Sequence, residues 1–136
     1  MARFVPEMNE RLLLKSSFMM PQGGVKIQIP VSAPLYLTSR RVVYEDFGKW
    51  AFLRSQMGLL PMLLMKGRLR EMPLGSLRIS RGRYGRNSKM TLLKSTDGGE
   101  ALLGGFDKTV KRLRDALLDG GIGLVELAPE EWEVRA

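Results

Sequence analysis

Fifteen Gly and seven Pro cut this 136-residue chain into short pieces. The longest apolar run, Met57 to Met65, is nine residues and is itself broken by Pro61. A helix that crosses a bilayer needs about 20 such residues, so none is expected here. Short segments between turn-formers favour strands over long helices. The length is that of one domain with a single core, residues 1–136. With 44% hydrophobic and 26% charged residues the chain reads as folded and soluble. Glu7, Glu10, Arg11 and Lys15 interrupt the region where a signal peptide needs an apolar core, so the expected location is the cytoplasm.

Several strands are legible. Leu12 to Phe18 is apolar enough for a first one, and Gln22-Gly-Gly24 supplies a turn. Val25, Ile27 and Ile29 alternate with Lys26 and Gln28, the period of a half-buried strand. Leu35 to Tyr44 is rich in β-branched and aromatic residues that suit a pleated surface, with Pro34 at its start. Between Asp46 and Met65 two readings stand: strands over Trp50–Leu53 and Leu59–Met65, or a short helix ended by Pro61. Leu74 to Ile79 and Lys89 to Ser95 read as further strands. Thr96-Asp-Gly-Gly99 marks a hairpin turn into a strand at Glu100 to Leu103, because Asp and Gly tolerate φ > 0.

One helix is marked. Asp107 is its expected N-cap, Val110, Leu113 and Leu117 form one apolar stripe, and Gly120-Gly121 is its stop. The expected fold is therefore mainly β: an antiparallel barrel or sandwich of about seven strands, closed at one end by a C-terminal amphipathic helix. Residues 122–136 are left as an acidic tail or an extra edge strand, beginning at Ile122 to Leu127.

Chemistry is constrained by what is missing. With no Cys and no His, disulfides, thiolate sites, imidazole bases and most metal centres are gone. The adjacent acids Glu45-Asp46 and Glu130-Glu131 point opposite ways on a strand, and Gly82 and Gly85 lack the context of a phosphate-binding loop. No enzyme, metal or cofactor is expected.

The net charge of +8 has a location. Lys66, Arg68, Arg70, Arg78, Arg81, Arg83, Arg86, Lys89 and Lys94 face only Glu71 within their stretch, and the remaining bases and acids balance. Tyr84 sits among the arginines of Ser80 to Lys89, an arrangement able to stack bases while neutralising phosphates. Arg also pairs with carboxylates in bidentate fashion. Against these stands the ordinary use of charge to keep a strand edge soluble. At the other end, Glu126, Glu130, Glu131 and Glu133 surround Trp132. These acids are expected either to fray or to fold back on the basic segment with Trp132 as anchor.

Particular residues point to a family. Leu35-Tyr-Leu-Thr-Ser-Arg-Arg-Val-Val-Tyr44 resembles the "G-x-LYLTxxRLIY" strand of the GRAM and bacterial PH-like families, within the pleckstrin-homology-like superfold. Arg70-Glu-Met-Pro-Leu-Gly-Ser-Leu77 resembles their "xEIPLxDI" segment. Thr96-Asp-Gly-Gly99 and the following helix resemble their closing elements, so the likeness spans roughly residues 10–119. It implies a non-catalytic adaptor that binds lipids, peptides or copies of itself. The phosphoinositide pocket of true PH domains is not carried over, because Met19 to Pro34 offers only Lys26.

The reading that results is an interaction module that binds protein partners and self-associates. Its alternative is a peripheral binder of anionic membrane at the inner face, using the basic segment and an apolar tip of Met57, Leu59, Leu60, Met62 and Met65. Nucleic-acid binding is a distant third, and no small-molecule substrate is indicated. The candidate anion-binding residues are Arg68, Arg70, Arg78, Arg81, Arg83, Tyr84, Arg86 and Lys89.

Overall fold

A computed structural model describes residues 4–23, 28–51 and 67–136. Among these residues the alternating and β-branched segments form nine strands: β1 (Leu12–Gly23), β2 (Gln28–Thr38), β3 (Arg41–Asp46), β4 (Arg68–Pro73), β5 (Arg78–Tyr84), β6 (Asn87–Lys94), β7 (Glu100–Gly104), β8 (Gly123–Ala128) and β9 (Glu131–Arg135). A 3₁₀ turn occupies Gly48–Trp50, and helix α1 (Asp107–Asp119) lies between β7 and β8. The strands make two antiparallel sheets, β1-β2-β3-β4 and β7-β6-β5-β9-β8. Among the described residues each sheet has open ends, so the mainly-β architecture matches a sandwich and not the closed barrel that was the other expectation.

The two strands beyond the expected seven come after the helix. Residues 122–136 do not fray: β8 and β9 form a hairpin, and β9 pairs with β5 through Arg78–Glu133, Ile79–Trp132 and Ser80–Glu131. Val134 is fully buried, and its N–H and C=O bond to the Leu77 carbonyl and the Ser76 N–H.

Leu35 to Tyr44 is two strands instead of one. Ser39 and Arg40 form the turn, with no Gly or Pro to announce it. The Thr38 hydroxyl accepts from the Arg40 and Arg41 N–H groups at 3.1 and 3.0 Å, a side-chain turn that replaces the usual glycine. Pro34 lies within β2 and not at its start. There β2 pairs with β1 alone, because β3 joins only at Leu35–Leu37, so the missing N–H costs no ladder bond. Leu74 and Leu77 are not strand residues; they drop into the core from the turn before β5, where Ser76 adopts φ 61°. The β6–β7 connection is the five residues Ser95–Gly99, where Ser95 and Asp97 bond to one another and to Gly99.

Helix α1 buries Thr109, Val110, Leu113 and Leu117, the expected stripe with one addition. Its N-cap is Phe106, without a side-chain bond, and Asp107 is its first residue. Thr109 ties the entry by donating to the Gly104 carbonyl at 2.8 Å. Gly121, at φ 79°, supplies the left-handed exit, with the Ile122 N–H bonded back to Leu117. One core unites both sheets and the helix, from Phe18, Leu35, Leu37 and Met72 to Leu93, Leu103, Leu113 and Val134.

The N-terminal arm is fastened by a buried charge. Arg41 grips Glu10 in bidentate fashion at 2.8 and 3.1 Å, and the Thr38 hydroxyl donates to the same carboxylate at 2.6 Å. Hydrogen bonding from Arg41, opposed by burial and helped by Thr38, lowers the Glu10 pKa from 4.5 to about 2. Phe4 stacks on Tyr36 at 4.6 Å and lies under Arg41.

Candidate functional site

The basic segment is contiguous in sequence but divided in space. Arg68 and Arg70 lie on β4, the end strand of the first sheet; Arg78, Arg81 and Arg83 lie on β5, third of five strands in the second. The fold also distributes partners unequally. Arg70 pairs with Asp46 at 3.1 Å and Lys94 with Glu100 at 3.8 Å. Arg78 stands between Glu131 and Glu133, at 3.6 and 3.7 Å. Arg81 pairs with Glu130 at 2.5 Å and lies over the Phe106 ring at 4.8 Å, while Phe106 packs beside Trp132. The four C-terminal acids and Trp132 thus divide, with three acids on the arginines of β5 and Trp132 half-buried against the core.

Beyond Gly82 this ends. Arg83, Arg86 and Lys89 are exposed and make no ion pair among the described residues, and Arg83 donates its Nε–H to the Gly85 carbonyl at 2.9 Å. Gly85 turns the hairpin at φ 59°. Tyr84 is half-buried, and its hydroxyl donates to the Gln28 carbonyl, which fastens the tip to β2. Arg68 is likewise exposed, on the other sheet, and makes no ion pair among the described residues.

Gly82 is where the two halves meet. A Cβ there would lie 2.4 Å from Leu102 Cδ1 and 3.1 Å from Leu92 Cβ, so any larger residue would displace the Leu102 side chain and press on Leu92. Gly82, Arg83, Leu92 and Leu102 form one wall of a pocket of about 470 Å³, and Met20, Gln22, Tyr44 and Asp46 of the first sheet form the other. Burial, with the Asp46 charge second, raises the Tyr44 pKa. Gln22 is already spent, donating to the Glu45 carbonyl at 2.8 Å and accepting the Phe47 N–H at 2.9 Å. The walls mix Asp46 and Glu100 with Arg83, so the pocket has no single charge preference. Among the described residues no three metal-ligating side chains converge.

The apolar residues Met57, Leu59, Leu60, Met62 and Met65 lie outside the described residues. Among the described residues no helix is long and apolar enough to cross a membrane. The sequence did not reveal which bases the fold would neutralise. The spacing of Glu130, Glu131 and Glu133 around Trp132 was the signal, and it needed the β5–β9 register to be read.

No family model, no curated protein and no solved structure matches the chain.

Proposed function

We propose that the chain is a non-catalytic interaction module of PH-like architecture whose β5–β6 hairpin tip receives an acidic segment of a protein partner. A four-stranded and then a three-stranded antiparallel meander, followed by a helix, supports the PH-like part of this reading. One observation carries the binding part. Arg78 and Arg81 are held by the chain's own carboxylates, whereas Arg83, Arg86 and Lys89 on the same hairpin pair with none among the described residues. The C-terminal strand is itself an example of the ligand chemistry, with closely spaced carboxylates laid along arginines.

Magnitude favours a protein partner over a lipid surface. A base near an anionic membrane contributes about 1 kcal/mol, so three give roughly 3 kcal/mol. Even a millimolar complex needs about 4 kcal/mol. An acidic segment adds backbone hydrogen bonds and bidentate Arg–carboxylate geometry, which a diffuse headgroup layer does not.

The test is parallel titration with a polyglutamate peptide, phosphatidylserine vesicles and a single-stranded oligonucleotide at fixed ionic strength. The peptide is expected to bind, more weakly at high salt, without comparable retention on vesicles or oligonucleotide. Vesicle or oligonucleotide binding tighter than peptide binding would replace this reading with the membrane or nucleic-acid one.

A further inference from the structure

We infer that the pocket beside the β5–β6 tip receives an aromatic side chain, Trp or Tyr, carried between the acids of the partner segment. The inference rests on the hairpin-tip reading and names the feature that selects the partner. Arg83 joins the two sites, being both a base of the tip and a residue of the pocket wall. A segment whose carboxylate lies on Arg83 therefore brings a neighbouring side chain to the pocket. The space, about 470 Å³, is ample for one ring. Aromatic anchors seated in pockets carry much of the energy of protein interfaces.

The walls decide which side chain enters. Asp46 and Glu100 repel the partner's own carboxylates, so these stay on the tip. A cation meets Arg83 and finds both wall acids engaged, Asp46 with Arg70 at 3.1 Å and Glu100 with Lys94 at 3.8 Å. A neutral group is admitted. The half-buried Leu92 and Leu102 offer apolar contact to a ring. The Tyr44 hydroxyl makes no hydrogen bond among the described residues and offers the same ring a polar partner. Burial raises the Tyr44 pKa, so that hydroxyl keeps its proton at neutral pH. An apolar ring with one polar edge satisfies both walls. The chain itself contains this arrangement. Glu131 and Glu133 lie on Arg78 and Glu130 lies on Arg81, while Trp132, among them in sequence, is half-buried beside Phe106.

Isothermal calorimetry of the full chain at one ionic strength tests this with two probes: a polyglutamate peptide with one central tryptophan, and the same peptide with alanine there. The tryptophan peptide is expected to bind at least about tenfold tighter. Leu102→Trp fills the pocket from its half-buried wall. It should erase that advantage and leave the affinity of the alanine peptide within about twofold, with circular dichroism unchanged. Tyr44→Phe removes only a hydroxyl, so it probes the same pocket without repacking it, and should also reduce the advantage. Replacing Arg83, Arg86 and Lys89 with Ala should weaken both peptides. Equal affinities for the two peptides overturn the inference and leave the hairpin-tip reading standing. An advantage that survives both Leu102→Trp and Tyr44→Phe overturns it too, because the ring then binds elsewhere. If neither peptide binds, the hairpin-tip reading fails and this inference with it.

Discussion

The first half of β5 and the tip that follows it carry the same kind of side chain in opposite circumstances. Arg78 and Arg81 are laid against Glu130, Glu131 and Glu133, with Phe106 and Trp132 beneath. Beginning two residues further on, Arg83, Arg86 and Lys89 meet no carboxylate among the described residues. A run of bases is therefore not a binding surface by virtue of its composition. What decides is which of its members the fold has already satisfied, and here Gly82 is the border. The buried Glu10–Arg41 pair adds a third case, a charge enclosed together with its partner.

The largest effect should come from detaching the strand that makes this difference. Val134→Asp places an unpaired carboxylate in the core behind β9 and should cost at least about 4 kcal/mol in urea denaturation. Loss of less than 1 kcal/mol would mean that β9 is not anchored as described. Next, Glu10→Gln removes a charge-assisted pair and should cost about 1–3 kcal/mol near neutral pH. Because the folded pKa of Glu10 lies below its unfolded value, its contribution is complete above about pH 4.5 and is lost as pH falls towards about 2. The variant should accordingly show a shallower loss of stability across that window than the parent. Equal slopes would contradict the role given to Glu10. Smaller still, Arg81→Ala should cost no more than about 1 kcal/mol, since its ion pair and ring contact are half-exposed. Replacing Arg83, Arg86 and Lys89 with Ala should leave stability within about 0.5 kcal/mol, as for surface sites with no structural partner.

How much of this was written in the sequence varies with the kind of signal. The helix was legible because Val110, Leu113 and Leu117 make a stripe and Gly120-Gly121 stops it, both local properties. The hairpin at Glu100 was legible from Asp97, Gly98 and Gly99 for the same reason. The turn at Ser39–Arg40 was hidden because Thr38 does with its hydroxyl what a glycine usually does with its backbone. Leu74 and Leu77 looked like strand residues because burial, not pleating, demands their apolar character. The charge pattern failed most instructively. Counting placed the whole net charge in one segment, yet neutralisation depends on the β5–β9 pairing across about fifty residues, which no local spacing encodes.

The central claim is that satisfied and unsatisfied arginines of one hairpin differ in function. The most direct measurement is polyglutamate affinity for the parent, for the Arg78→Ala/Arg81→Ala variant and for the Arg83→Ala/Arg86→Ala/Lys89→Ala variant, at one ionic strength. The account predicts at least a tenfold loss, about 1.4 kcal/mol, for the tip variant and less than a twofold change for the other. Equal losses, or a larger loss from Arg78 and Arg81, would contradict it.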